Sequence, residues 1–199
     1  MTFPSDPPNP WTTHSTQVLY ENPWTHLEQN VVIRPDGQDG TYWVTRFRNR
    51  AVGIVPFEVR DGVPGVWLVG QTRYTLGQYS WELPEGGVPK DEEMESAAKR
   101  ELQEETGLTA DHWTHLFDVH TSNSVTDEWG QVFLATGLHQ GEASPEGTED
   151  ISRLYVELDE ALAAIATGRI TDVMTIAGLY RVALMWRAGE LGPSGTDHS

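Results

Sequence analysis

Between Gly86 and Leu108 the chain reads GGVPKDEEMESAAKRELQEETGL, a glycine-led turn that runs into an acid-rich helix and stops on glycine. At roughly 100° per residue, Met94, Ala98 and Leu102 form an apolar stripe about 80° wide, and Glu101 and Glu105 point along or beside it. The spacing therefore puts carboxylates where core side chains belong, with Glu101, Glu104 and Glu105 crowded into the last turn. A half-buried carboxylate is costly unless it is paired or holds a metal, and like charges one turn apart repel unless a cation lies between them. No Lys or Arg follows within the next turn. Hard oxygen ligands at i, i+3 and i+4 suit Mg²⁺ or Mn²⁺, which keeps waters and substrate phosphate oxygens in its other positions. The pattern predicts a divalent-metal, phosphate-handling site; the plainer alternative is a solvated acidic helix face.

Composition narrows the partners. A chain of 199 residues with 38% hydrophobic content buries a real core, and one domain with extras is the default at this size. A formal net charge of -17, with only 13 Lys plus Arg, argues against nucleic acid as a partner, since such a surface needs a basic stripe. A small phosphate substrate stays compatible, because a bound metal supplies positive charge locally. Zero Cys excludes disulfides and thiol chemistry and suits a reducing cytoplasm. The stretch Met1 to Pro8 has neither a basic nor an apolar leader region, and no apolar run reaches membrane-spanning length. The expectation is a soluble, cytoplasmic protein with no membrane partner.

Along the chain, the Pro-rich start through about Asn9 and residues 192–199 are expected to be mobile ends. Residues 16–20, 29–34 and 41–47 predict short strands, with Pro35-Asp36-Gly37 and Asp39-Gly40 as turns, forming a small N-terminal antiparallel sheet. Residues 52–57 and 66–71 predict β-branched strands joined at Arg60-Asp61-Gly62, and the acid-rich helix spans 91–106. Strands near 113–120 and 131–138 follow, then a strand at 154–158 and helices near 159–166 and 171–186. A mixed sheet sandwiched by helices, an α/β (α+β) class, accounts for this order. No internal repeat or low-complexity segment interrupts it.

Gly86, five residues, Glu92, seven residues, Arg100-Glu101-Leu102, one residue, Glu104-Glu105, one residue and Gly107-Leu108 together resemble, at every fixed position, the signature of the Nudix hydrolases, which cleave nucleoside diphosphates linked to another group. Gly86 permits a backbone turn that a Cβ would obstruct, letting the carbonyl of Glu85 face the metal. Gly107 fits an αL C-cap, with Leu108 as its hydrophobic contact. The resemblance implies a Nudix-type α/β/α sandwich and a structural ion pair between Glu92 and Arg100. It also implies Glu101 and Glu105 as direct ligands of Mg²⁺, with Mn²⁺ as an alternative, and Glu104 as a third acid on a second ion or acting through water.

The flanks resemble one branch of that family, the ADP-ribose and nucleotide-sugar pyrophosphatases. Val69-Gly70-Gln71-Thr72-Arg73-Tyr74 and Trp81-Glu82-Leu83-Pro84-Glu85-Gly86-Gly87 carry the likeness, as do Asn22-Pro23-Trp24 with Arg34-Pro35-Asp36-Gly37 and Gly168-Arg169-Ile170-Thr171-Asp172. Together the resemblance covers about residues 15–187. It implies Mg²⁺-dependent hydrolysis of the diphosphate bridge of ADP-ribose or a related nucleoside diphosphate sugar, to a nucleoside monophosphate and a sugar phosphate. It also implies residues 1–48 as a dimerising N-terminal sheet, 49–190 as the Nudix domain and 191–199 as a tail, in a homodimer whose N-terminal sheets pack or swap.

Within that frame Arg73 is the phosphate-binding candidate, a planar fork of donors, with an ordinary surface arginine as the alternative. Trp24, Trp43, Tyr74 and Trp81 are candidates to stack on the base, although large aromatics more often serve core or interface. The branch draws an acid from the loop 140–151, where Glu149 aligns with an acid that touches the metal. Gly147 stands where the ADP-ribose enzymes carry a glutamate base, so either Glu146 or Glu149 substitutes or the substrate is not strictly ADP-ribose. Asp127-Glu128 resembles a loop acid pair of the branch, with Asn123-Ser124-Val125 where Pro-Gly usually precedes it. His112, His115 and His120 have no zinc-site spacing, and Val173, Ile176, Ala177, Tyr180 and Leu184 predict a core or dimer face. Two alternatives remain: a pyrophosphatase for a GDP- or UDP-linked sugar or a dinucleoside polyphosphate, and a regulatory module that binds a nucleotide without cleaving it. Such modules lose acids from the signature, and this chain keeps them all.

Overall fold

Side chains alternate between two apolar environments along the central strands, so the sheet must be covered on both faces. The computed structural model describes residues 3–141 and 151–192. They fall into two compact units: residues up to Arg48 with Ser122–Glu128, and Asn49–Thr121 with Trp129 onward.

The first unit is a three-stranded antiparallel sheet, β1 (Thr12–Glu21), β2 (Thr25–Ile33) and β3 (Asp39–Phe47), in that order. Asn22 closes the first turn by accepting hydrogen bonds from the backbone N–H groups of Trp24 and Thr25, both at 2.8 Å. Gly37, at φ 78°, closes the second. β1 starts at Thr12 rather than at residue 16, because its polar alternation carries little hydrophobic signal while pairing with β2 runs its full length. Segment 122–128 runs beside β3: Thr45 N–H donates to Val125 carbonyl at 2.9 Å, and the Asp127 carboxylate accepts from Phe47 N–H at 2.8 Å. The acid of the Asp127-Glu128 pair is thus used to hold β3.

The second unit has a seven-stranded mixed sheet in the order β10-β5-β4-β9-β8, with β6 beside β5 and β7 beside β4. Its strands are β4 (Arg50–Arg60), β5 (Val63–Arg73), β6 (Gln78–Glu82), β7 (Glu85–Val88), β8 (Leu108–His120), β9 (Trp129–Gln140) and β10 (Ser152–Glu157). β4 and β9 pair parallel and the other neighbours antiparallel. Three helices complete it: α1 (Met94–Thr106), α2 (Leu158–Ala166) and α3 (Val173–Arg187).

Successive strand residues point to opposite faces, and the two cores divide by that parity. Val52 and Ile54 of β4 with Phe133 and Ala135 of β9 pack against Met94, Ala97, Ala98 and Leu102 of α1. Val55, Phe57, Val132 and Leu134 pack against α2 and α3 through Leu158, Ala161, Met174, Leu179 and Val182. This is the expected α/β/α sandwich. β7 was not expected as a strand, since Glu-Gly-Gly-Val lacks strand propensity; pairing with β4 alone makes it one. α1 begins at Met94, three residues after the expected start, because residues 89–92 close a turn through Glu92 N–H and Pro89 carbonyl at 3.1 Å. On α3 the core face is Met174, Gly178, Leu179, Val182 and Met185, whereas Val173, Tyr180 and Leu184 of the expected stripe are exposed. No helix among the described residues is long and apolar enough to cross a membrane.

Candidate active site

The acids of α1 meet the sheet at β7. Gly86 sits in that strand opposite Val52, without a left-handed backbone, so its role differs from the expected turn. What it provides is space: a Cβ there would lie 2.2 Å from the Glu101 carboxyl carbon, so only glycine lets that carboxylate rest against the strand. One residue earlier, Glu85 N–H donates to Glu105 Oε2 at 3.0 Å, fixing the second acid on the same strand. Glu105 is buried to 4% exposure, as its place on the core stripe demands. Gly107 ends the helix at φ 70° and donates its N–H to the Gln103 carbonyl, the expected αL cap.

Two arginines organise the carboxylates. Arg100, which precedes the acids, is the partner that a search for a following cation misses. Its Nε and Nη2 reach Glu92 at 3.2 and 3.1 Å, and its Nη1 donates to Glu101 at 2.8 Å and to Glu104 at 2.9 Å. The Glu92 hydrogen bonds come first, and with Glu101 and Glu104 they outweigh burial and hold the Arg100 pKa above its ordinary value. Arg73, at the end of β5, grips Glu82 of β6 through Nε (2.8 and 3.1 Å) and Nη2, and donates from Nη2 to Glu85 at 2.8 Å. Burial opposes its charge, but Glu82, Glu85 and Glu105 together raise its pKa above the ordinary value.

The same cluster splits its two carboxyls. Burial favours the neutral form of Glu82, yet hydrogen bonds from Arg73 and Ser80 hold it below the usual carboxylate range. Glu85 is pushed well above that range by burial first, then by Asp172 and Glu82, against the pull of Arg73. Asp172 is in place because it caps α3, accepting from Thr175 N–H at 2.7 Å.

Among the described residues Glu82, Glu85, Glu92, Glu101, Glu104 and Glu105 thus gather around the guanidinium groups of Arg73 and Arg100. Among the described residues no three acidic or histidine side chains close a metal cage by themselves. An open, all-oxygen donor set braced on a rigid strand fits a hard divalent ion that completes its shell with water and substrate oxygens.

Other expected site residues are placed less uniformly. Trp81 lies on the opposite side of β6 from Glu82, edge-on to Tyr79 at 5.5 Å, and with Leu68, Leu154 and Arg169 it lines a cavity of about 200 Å³ facing α2. Tyr74 is 97% exposed just beyond Arg73, and Trp24 and Trp43 are exposed on the three-stranded sheet. Glu146 and Glu149 fall outside the described residues. The chain on either side of them is tied to the end of α1, Gly141 N–H donating to Gly107 carbonyl at 2.8 Å and Arg153 to Thr106 carbonyl. Glu82 and Asp172 join the cluster although no site role was expected of them; the local signal for Glu82 is an acid inside the otherwise apolar run Trp81 to Pro84.

Comparison with known proteins agrees with this geometry. The NUDIX domain matches residues 47–174, and the nucleoside diphosphate sugar hydrolase N-terminal domain matches residues 11–44. An ADP-ribose pyrophosphatase of Mycobacterium tuberculosis is 33% identical over 85% of this chain and 82% of its own. A methanol dehydrogenase activator of Bacillus methanolicus is 28% identical over 86% of this chain and 92% of its own. The crystal structure of an ADP compounds hydrolase shares the fold, with a TM-score of 0.81 at 18% identity, covering 93% of this chain and 98% of that one. With the acids of α1 braced on β7 and both parts matched in order, the chain belongs to the Nudix hydrolases and is a pyrophosphohydrolase of that family.

Proposed function

We propose that the protein hydrolyses the diphosphate bridge of ADP-ribose, or of a closely related nucleoside diphosphate sugar, to a nucleoside monophosphate and a sugar phosphate with Mg²⁺ as the preferred ion. The observation that carries this reading is the braced acid pair: Glu101 set against Gly86 and Glu105 hydrogen-bonded to Glu85 N–H, within a cluster of acids gathered around Arg73 and Arg100. The M. tuberculosis relative, an ADP-ribose pyrophosphatase by name, supports the choice of substrate.

Glu101 and Glu105, with the backbone carbonyl of Glu85, would hold the ion, and Glu104 would take a second ion or act through water. When bound, the ion offsets the charge of the diphosphate and lowers the pKa of an attacking water. Arg73, 35% exposed at its side chain, orients a phosphate on the acid side of β6 while staying locked to Glu82. Glu146 or Glu149 takes the proton from water. Trp24 and Trp43 stack on the base across a homodimer; their exposure, with that of Val18 and Tyr20, supports a partner subunit for this sheet.

A panel of ADP-ribose, GDP- and UDP-sugars and dinucleoside polyphosphates, each with Mg²⁺ and Mn²⁺ and with products identified, tests the reading. ADP-ribose turned over fastest, to AMP and ribose 5-phosphate, is the expected result. Faster turnover of any other class would replace the substrate, and no turnover of any would remove the enzyme assignment.

A further inference from the structure

The N-terminus of α1 lacks its own lock. Glu93 stands at the N-cap and makes no side-chain capping hydrogen bond. Instead, Arg50, the first residue of β4, reaches across to the turn that precedes the helix. Its Nη2 donates to Pro89 carbonyl at 2.7 Å and to Glu92 carbonyl at 2.5 Å, so one guanidinium group holds both ends of residues 89–92. The contact is not free, because Arg50 Nε is buried without a hydrogen-bond partner among the described residues. Leaving a buried donor unmet is costly, which points to a position dictated by the two carbonyls.

Glu92 connects this clamp to the site. Its carbonyl is fixed by Arg50, its carboxylate holds Arg100, and Arg100 in turn holds Glu101 and Glu104. We infer that Arg50 is a positioning residue for the metal acids, acting from the sheet through Glu92 and Arg100 to set the Glu101 carboxylate against Gly86. A small drift of the turn would move Arg100 and spread the oxygens that an ion must find close together. The inference rests on the reading of Glu101 and Glu105 as metal ligands. It adds that this chain tunes their geometry with a residue that touches neither metal nor substrate.

The test is direct Mn²⁺ binding by calorimetry on the full chain, with Mg²⁺-dependent hydrolysis measured beside it. Arg50→Ala should weaken Mn²⁺ binding five- to tenfold and raise half-saturating Mg²⁺ by a similar factor, with substrate KM at saturating Mg²⁺ changed less than twofold. Arg50→Lys, a single ammonium in place of a fork, should recover about half of the loss. In a Glu92→Gln background, Arg50→Ala should add less than a twofold further loss, since both act on one route. Wild-type Mn²⁺ affinity in Arg50→Ala, or losses that multiply in the double variant, would overturn the inference. If Arg50→Ala melts below the assay temperature, Arg50→Lys decides: weaker binding by about threefold supports the inference, and wild-type binding overturns it. A wild type that binds no Mn²⁺ would instead fail the metal reading on which both rest.

Discussion

The three-stranded sheet and the α1–β7 wall break the usual burial rule in opposite directions. In the first, all ten residues of β1 are exposed and Val18, Leu19, Tyr20, Trp24 and Trp43 present apolar surface to solvent. In the second, Glu105 of α1 is buried to 4% exposure, as is Glu82 of β6, which Arg73 links to Glu85 of β7. Apolar groups left outside want another surface, and charges brought inside want a counter-charge. On the proposed reading, a second subunit would complete the sheet, and a cation with a diphosphate would complete the wall.

The comparison breaks most readily at the wall. Glu101→Gln or Glu105→Gln should cut kcat by on the order of 10²–10⁴-fold, the range lost with a charge-stabilising or acid–base group, while the melting temperature stays level or rises. Such variants relieve buried charge, so a large fall in stability would show that the acids serve the fold instead. Gly86→Ala should be next, with kcat reduced roughly ten- to a hundredfold because the new methyl displaces Glu101, and with a folding cost of about 1–3 kcal/mol seen by denaturant titration.

At the sheet, Leu19→Glu combined with Tyr20→Glu should shift a dimer toward monomer in light scattering and change the melting temperature by only a few degrees. An unchanged mass would mean that the sheet is complete alone. The smallest effect concerns pH. Burial works against the charge of Glu28, but Arg46 and His26 hold its pKa below the ordinary value. A depressed folded-state pKa gives stability that is present above the unfolded value and lost as pH falls through the folded one. Glu28→Gln should thus cost at most about 0.5 kcal/mol near neutrality, given the exposed Arg46, and flatten the acid side of the stability profile.

Much of the wall was legible in the sequence, because its signals are local. Helical spacing alone places Glu105 on the core stripe, the Gly107 cap follows from backbone chemistry, and the Glu92–Arg100 pair is implied by the family signature. What was hidden depends on strand pairing. Glu82 joins Arg73 because β6 folds back on β5 in register, and Gly86 meets Glu101 because β7 lies beside β4 under α1. Trp81 was grouped with the site by its neighbours in the chain, yet strand alternation turns it to the other face. Arg50 was invisible for the same reason, since its acceptors lie about forty residues away.

The most direct test is hydrolysis of ADP-ribose in ¹⁸O-labelled water by the wild type and by Glu105→Gln, with phosphorus NMR of the products. The account predicts AMP and ribose 5-phosphate in equal amounts, one of them carrying the label, only when a divalent ion is supplied and only from the wild type. Turnover by Glu105→Gln within twofold of the wild type, or release of inorganic phosphate in place of the two monophosphates, would contradict it.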